Sequence, residues 1–78
     1  MVMVRYFAAA RAAAGVTEET LEAPTLEALR KELAARNDRL ARVVGVASFL
    51  VDGVSWRDAH APLPAGCTVD ILPPFAGG

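Results

Sequence analysis

Two glycines, Gly77 and Gly78, end the sequence directly after Phe75 and Ala76. Glycine has no Cβ, so nothing beside the backbone hinders approach to the terminal carbonyl carbon. A terminal carboxyl group has a pKa of about 3.3–3.7, so at neutral pH it is a carboxylate and a poor electrophile until it is activated. We predict that Gly78 presents an acyl group to another protein, and that Gly77 and Ala76 thread into that protein's catalytic channel.

Two consecutive prolines, Pro73 and Pro74, precede this end of the chain. Proline lacks the backbone N–H that a strand ladder needs, so the pair predicts the end of a strand. We therefore expect a globular domain over residues 1–73 and a flexible diglycine tail over residues 74–78, which could extend at most about 17–18 Å. Pro74 and Phe75 are predicted to contact the partner near the entrance of its channel.

Other residue types that could do chemistry are scarce. The chain has one cysteine, Cys67, and one histidine, His60, which are too few for a tetrahedral zinc site. No histidine or carboxylate constellation accompanies Cys67, so we interpret it as a small structural residue near a turn. His60 is predicted to lie in a surface loop. We therefore expect no metal site.

Length and charge exclude several classes of function. The chain has 78 residues, which is enough for one modest core and too few for a deep substrate cavity. Its net charge of −1 provides no basic field for nucleic acid or an anionic membrane. No apolar run approaches the roughly 18 residues of a membrane span. We expect a soluble, cytoplasmic protein.

Periodicity in the sequence predicts five strands and up to three helices. The predicted strands cover residues 2–7, 16–22, 48–51, 54–56 and 68–72. A short alanine-rich helix should precede Gly15, and a longer one should begin after Thr25 and terminate at Asn37. A second short helical piece over residues 38–44 should be broken by Gly45. Asp52-Gly53 predicts a hairpin between the third and fourth strands.

This order of elements predicts an α+β fold of the β-grasp, or ubiquitin-like, type. We expect a mixed sheet of four to five strands, with the first and last strands side by side at its centre and one main helix on one face. The predicted core consists of Val2, Val4, Tyr6, Leu29, Leu33, Val51, Val69 and Ile71.

The other face of the sheet should lack a helix. It would carry Met3, Arg5, Phe7, Leu50, Asp70 and Leu72. We interpret the apolar members Phe7, Leu50 and Leu72 as a partner surface beside the root of the tail. Arg11, on the alanine-rich helix, is either a further partner contact or a solvated side chain.

The motifs together resemble the MoaD family, the small sulfur-carrier subunits of molybdopterin synthase. The resemblance rests on the segment from Tyr6 to Arg11 that leads to Gly15, on the helix initiated by Thr25, on residues 63–66, and on the end LPPFAGG. It runs nearly end to end. The related thiamine-pathway carrier ThiS shares the diglycine but tends to be shorter and to join its first two strands by a tight hairpin.

The resemblance implies a function for the terminal glycine. A MoeB-like enzyme, similar to ubiquitin-activating enzymes, would use ATP and Mg²⁺ to adenylate Gly78, and a sulfur donor would convert the adenylate to a thiocarboxylate. That sulfur would pass to cyclic pyranopterin monophosphate in the MoaE-like large synthase subunit. The chain itself would be a non-catalytic carrier without a bound cofactor, and its partners would supply the catalytic groups. Three alternatives stay open: a sulfur carrier of thiamine or cysteine biosynthesis, a ubiquitin-like modifier joined through its terminal glycine to lysine side chains, and a non-reactive interaction domain that keeps its function when Gly78 is deleted.

Overall fold

The computed structural model describes residues 1–74, which form one five-stranded sheet with three helices. The elements in chain order are β1 (Val2–Tyr6), α1 (Ala9–Ala14), β2 (Glu18–Leu21), α2 (Leu26–Ala34), α3 (Asp38–Val46), β3 (Ser48–Val51), β4 (Val54–Ser55) and β5 (Thr68–Leu72). The strands lie in the order β2-β1-β5-β3-β4. The predicted β-grasp fold is confirmed.

The first and last strands are parallel neighbours at the centre of the sheet. Val4 lies opposite Val69 and Tyr6 lies opposite Ile71. All other pairs in the sheet are antiparallel, with β2 on the outside of β1 and the β3–β4 hairpin on the outside of β5. The predicted central position of β1 and β5, and the edge position of the second strand, are both confirmed.

One face of this sheet and the helices enclose the hydrophobic core. All eight predicted core residues are buried, and Leu33, Leu29, Val4, Val69 and Ile71 are fully so. The same cluster also includes Ala10, Leu26, Leu40, Val44, Phe49 and Cys67. Burial of this apolar surface, at roughly 25 cal/mol per Å², is the main force that holds the helices on the sheet.

The helix layer corrects two details of the prediction. Thr25 caps α2 as expected, because its hydroxyl accepts a hydrogen bond from the Ala28 N–H at 3.1 Å. Asn37 is not the terminator of that helix. Its side-chain oxygen instead accepts from the Leu40 N–H at 2.7 Å and so caps the start of α3, and its amide donates to the Ala13 carbonyl at 3.3 Å.

Gly45 is the second correction, because it does not break the helix. α3 continues through it to Val46 and is as long as α2, at nine residues. Glycine weakens a helix interior by only about 0.5–1 kcal/mol. Burial of Leu40 and Val44 against the core outweighs that cost. The predicted single main helix is therefore accompanied by a second helix of equal length.

The Asp52-Gly53 hairpin forms as predicted. Both residues have positive φ, 49° and 81°, as a type I′ turn requires. Asp52 also fixes the hairpin to the central strand: its backbone N–H donates to the Thr68 carbonyl at 2.8 Å, and its carboxylate accepts from the Thr68 N–H at 2.9 Å. These two bonds hold the turn against β5, and the register of β4 is set by its pairing with β3.

Candidate functional site: the open face and the root of the tail

The chain leaves β5 at the end of the sheet where β1 also ends, and we call Pro73 and Pro74 the root of the tail. Since β1 and β5 are parallel, Tyr6 and Ile71 lie side by side. Phe7 directly follows Tyr6, and Leu72 directly follows Ile71. Pro73 is buried and Pro74 is exposed. The predicted tail residues Phe75, Ala76, Gly77 and Gly78 lie outside the described residues, as does most of the predicted 74–78 tail.

The face of the sheet away from the core, which we call the open face, carries Arg5, Asp70, Leu50 and Leu72 as predicted. In the register of the sheet, Arg5 lies opposite Asp70, and Asp70 lies opposite Leu50. Arg5 and Leu50 alternate with the buried residues of their strands, so they point away from the core. Asp70 is itself buried but lies on the same face, because it is the register partner of both. Leu72 lies two residues beyond Asp70 and is half-buried. The structure therefore brings Leu50 and Leu72 onto one face, beside the root of the tail.

The apolar side chains of this face are only partly accessible. Phe7 is 38% exposed and Met3 is 37% exposed. Scattered apolar side chains are ordinary on protein surfaces, whereas a contiguous group on one sheet face is typical of a binding surface. Binding of a partner by Phe7, Leu50, Leu72 and Pro74 stays a prediction. The position of these residues beside the root of the tail supports it.

An ion pair lies at the centre of the open face. Arg5 Nε donates to Asp70 Oδ1 at 2.6 Å, and Arg5 Nη2 donates to Asp70 Oδ2 at 2.9 Å. The hydrogen bond to Asp70, and then the charge of that carboxylate, raise the pKa of Arg5. The guanidinium carbon also lies 5.8 Å from the centroid of the Phe7 ring, within cation–π range. Strand alternation predicted that Arg5 and Asp70 share this face, but it gave no sign of the bond between them.

A tight turn after β1 positions Phe7 and Arg11 together. The Ala10 N–H donates to the Phe7 carbonyl at 3.0 Å, and Ala8, in the second position of this turn, has φ 51° and ψ −124°. These angles are those of a type II′ turn, which normally holds glycine at that position. The turn starts α1, and Gly15 ends the helix in the left-handed conformation as predicted.

Phe7 and Arg11 line one depression of about 260 Å³, together with Arg5, Tyr6, Thr17 and Glu18. It lies at the edge of the sheet where β1 ends, which is also the edge from which the tail departs. Arg11 is exposed. Its predicted role as a partner contact stays a prediction, and its position beside Phe7 is compatible with that role.

A further depression lies at the opposite end of the sheet. It measures about 460 Å³ and is lined by Met1, Val2, Glu22, Ala23, Pro24, Leu63, Pro64 and Ala65. These residues surround the starts of β1 and β5, whereas the tail departs beyond their ends. Size alone does not connect this depression with the chemistry of the terminal glycine.

A second polar network ties the sheet edge to the helices. The buried Tyr6 hydroxyl donates to Glu19 Oε2 at 2.7 Å, and Arg36 donates to both Glu19 oxygens at 2.7 and 2.9 Å. The hydrogen bond from Arg36 is the main cause that lowers the pKa of Glu19. Burial, followed by the bond to Glu19, raises the pKa of Tyr6 well above its usual range. The network joins β1, β2 and the segment between α2 and α3.

Two further side chains, Cys67 and His60, are of types that could take part in chemistry. Cys67 is 2% exposed, and burial, followed by the charge of Asp52, raises the pKa of its thiol, which confirms the structural role predicted for it. His60 lies on the surface in a loop, as predicted. Residues 1–74 contain no group of three or more His, Cys, Asp or Glu side chains that could hold a metal ion.

Hydropathy of the helices bears on the predicted absence of a membrane segment. Over residues 1–74, no helix has both the length and the apolar character needed to cross a bilayer.

Comparison with known proteins identifies the family. The sequence model of the ThiS family matches residues 4–78. The molybdopterin synthase sulfur carrier subunit of Escherichia coli (strain K12) is 37% identical over an alignment of 82 positions that covers 100% of both chains.

Solved structures agree with the sequence match. In the complex of subunits 1 and 2 of the molybdopterin-converting factor from Helicobacter pylori 26695, the matching chain has a TM-score of 0.75 and 26% identity, and the match covers 99% of this chain and 97% of that one. The small archaeal modifier protein 1 of Methanosarcina acetivorans has a TM-score of 0.83 at 24% identity, covering 99% and 95%, which shows a shared fold. The chain thus belongs to the ThiS/MoaD family of β-grasp proteins.

Proposed function

We propose that this chain is a sulfur carrier of molybdopterin biosynthesis, in which Gly78 bears the transferred sulfur as a thiocarboxylate. The observation that carries the proposal is the family match over residues 4–78, which runs through the diglycine, together with full-length similarity to a molybdopterin synthase sulfur carrier subunit. The diglycine is thus part of the matched family pattern.

Activation of the carboxylate precedes sulfur transfer in this proposal. An adenylating enzyme of the ubiquitin-activating type attaches AMP from ATP, with Mg²⁺, to the Gly78 carboxylate and releases pyrophosphate. A sulfur donor then displaces AMP and leaves a thiocarboxylate. The large synthase subunit passes this sulfur to cyclic pyranopterin monophosphate, and two loaded carriers supply the two sulfurs of one dithiolene.

The globular domain contributes position in this proposal. β5 is the central strand of the sheet, so the root of the tail is fixed by hydrogen bonds on both sides. Pro73 and Pro74 restrict the backbone at the base of the tail, so less conformational entropy is lost when the tail enters a partner. The open face and the Phe7–Arg11 depression both lie beside the root of the tail. Together they would form the surface that binds the large subunit.

The large synthase subunit is the partner with the strongest support. The matching Helicobacter pylori chain was solved in a complex of subunits 1 and 2 of the molybdopterin-converting factor. The adenylating enzyme, the sulfur donor and the cytoplasmic location remain parts of the proposal. The buried, poorly ionised Cys67 supports the view that the nucleophiles belong to those partners.

Reconstitution of molybdopterin formation tests the proposal. The chain, an adenylating enzyme, a sulfur donor and the large subunit are supplied with the precursor, and product formation is measured. Deletion of Gly78 should abolish product, whereas the surface variant His60→Ala should retain it, with both variants folded by circular dichroism. Full activity without Gly78 would refute the carrier role. Success with a thiazole synthase and failure with the large subunit would assign the chain to the thiamine pathway.

Mass spectrometry of the protein from its own cells separates the carrier from a modifier. A carrier should show a form in which one oxygen at Gly78 is replaced by sulfur. Lysine isopeptide adducts without any sulfurated form would favour the ubiquitin-like modifier. Both routes begin from the same adenylate, so only the product of the second step distinguishes them.

A further inference from the structure

The open face contains one feature that an apolar docking surface does not need, the Arg5–Asp70 ion pair. Asp70 is 7% exposed and is the only buried charged residue among residues 1–74. The pair has apolar and polar neighbours on this face. Leu50 lies opposite Asp70, Met3 and Leu72 lie two residues along the two strands, Phe7 follows β1, and Glu18 of β2 lies opposite Arg5.

The two members of the pair differ in what they offer to a partner. The Arg5 side chain is 48% exposed and the Asp70 side chain only 10%. Arginine has five N–H groups, of which two are bonded to Asp70, so three remain to be satisfied. Within residues 1–74 the only hydrogen bonds of this side chain go to Asp70, so water must satisfy the rest in the free protein. A partner that covers the face removes that water.

Removal of water from the pair is unfavourable unless the partner replaces the lost hydrogen bonds. An oxygen acceptor opposite the outer edge of the guanidinium would do so. The charge of Arg5 is already balanced by Asp70, and Glu18, exposed and opposite Arg5 in the register, adds a further negative charge beside the pair. A carboxylate on the partner would add another negative charge without compensation. The local charge balance therefore favours a neutral acceptor.

We infer that the large synthase subunit places a neutral hydrogen-bond acceptor, a backbone carbonyl or a side-chain amide oxygen, against Arg5 of this chain. The Arg5–Asp70 pair is thus a specificity determinant: a partner whose docking surface is wholly apolar at this point loses affinity because it leaves the guanidinium without acceptors. This inference rests on the proposed function, because it takes the large subunit as the partner that covers the open face.

Binding of the intact chain to the large subunit, measured by calorimetry, tests the inference. The double variant R5M/D70L replaces the pair by apolar side chains. Against a surface that carries an acceptor, it should bind roughly 5- to 150-fold more weakly, which corresponds to one buried acceptor left without a donor. Against a wholly apolar surface it should bind as tightly as the unaltered chain or more tightly. The second result would overturn the inference.

Two single variants complete the design. Arg5→Lys keeps the charge and the fold but loses the planar fork, and it should bind about tenfold more weakly; undiminished affinity would contradict the inference even if R5M/D70L fails to fold. Glu18→Gln is the second variant and removes the negative charge opposite Arg5. Its matched control is Glu22→Gln, at an exposed glutamate beside the opposite end of the sheet, and the affinity of this control should stay within about twofold of the unaltered chain. Several-fold tighter binding by Glu18→Gln would identify a carboxylate opposite Arg5 and overturn the neutral acceptor.

The outcomes separate this inference from the proposed function. If the unaltered chain does not bind the large subunit, the proposed function fails and the inference fails with it. If the unaltered chain binds and R5M/D70L binds equally well, only the inference fails.

Discussion

Ala8 occupies a backbone conformation that suits glycine, so the substitution Ala8→Gly should stabilise this protein. Its φ of 51° and ψ of −124° place the Ala8 methyl group against its own backbone. Strain of this kind costs about 1–3 kcal/mol. The glycine that removes it gives the unfolded chain more freedom, which costs about 0.4–1 kcal/mol. A net gain of about 1 kcal/mol is expected, because the first effect exceeds the second.

The control for this prediction is Ala12→Gly. Ala12 is also an exposed alanine, lies four residues further on in α1, and donates its N–H to the Ala8 carbonyl at 3.2 Å. Its glycine variant should lose about 0.5–1 kcal/mol, the usual effect inside a helix. The two substitutions are chemically identical, so only the local backbone distinguishes them.

Thermal unfolding followed by circular dichroism measures both variants. For a domain of this size about 1 kcal/mol corresponds to a change in Tm of about 4–8 °C. Ala8→Gly should therefore raise Tm by about that amount, while Ala12→Gly lowers it. If both variants lower Tm equally, Ala8 carries no strain and the reasoning from its dihedral angles is refuted. A separate measurement, the affinity of Ala8→Gly for the large subunit, reports whether the turn at Ala8 also positions Phe7 for binding.

Three further predictions concern the core, the polar network and the thiol. Leu33→Ala should lower the free energy of unfolding in denaturant by about 2–5 kcal/mol, because Leu33 is fully buried; a loss below about 1 kcal/mol would contradict its place in the core. Since Arg36 lowers the pKa of Glu19 below its ordinary 4.5, the network stabilises the fold above that pH and its contribution is lost as the pH falls through the lowered pKa. The free energy of unfolding should therefore fall more steeply between about pH 5 and pH 3 in the unaltered chain than in Glu19→Gln, and equal slopes would remove the network from the acid response. Cys67 should react with a thiol reagent far more slowly in the native protein than in denaturant, since it is 2% exposed and its pKa is raised; equal rates would show an accessible thiol.

Local signals in the sequence predicted most of the secondary structure. Alternation along β1 and β5 assigned Val4 and Val69 to the core, and the Asp52-Gly53 pair marked the hairpin, because both signals depend only on neighbouring residues. Asn37 was misinterpreted because asparagine is common both after a helix and before one. The bond from Leu40 to its side chain decides between the two positions.

Some features of the candidate site could likewise be predicted from the sequence, and others required the fold. The diglycine at residues 77–78 needed only the sequence, and the same-face position of Leu50 and Leu72 followed from strand period and strand order. The Arg5–Asp70 bond did not, because its partners are 65 residues apart and meet only through the parallel register of β1 with β5. The strained turn at Ala8 was equally hidden, since alanine normally signals helix.

By itself the sequence determined the diglycine at residues 77–78 and the order of the strands and helices. Those features depend on residue type and short-range period, which any stretch of chain displays. The tertiary structure alone decided which charges meet, which alanine is strained and which edge of the sheet holds both the tail root and Phe7. Those features depend on the register of strands far apart in the chain, and register is fixed only when the whole apolar face is buried together.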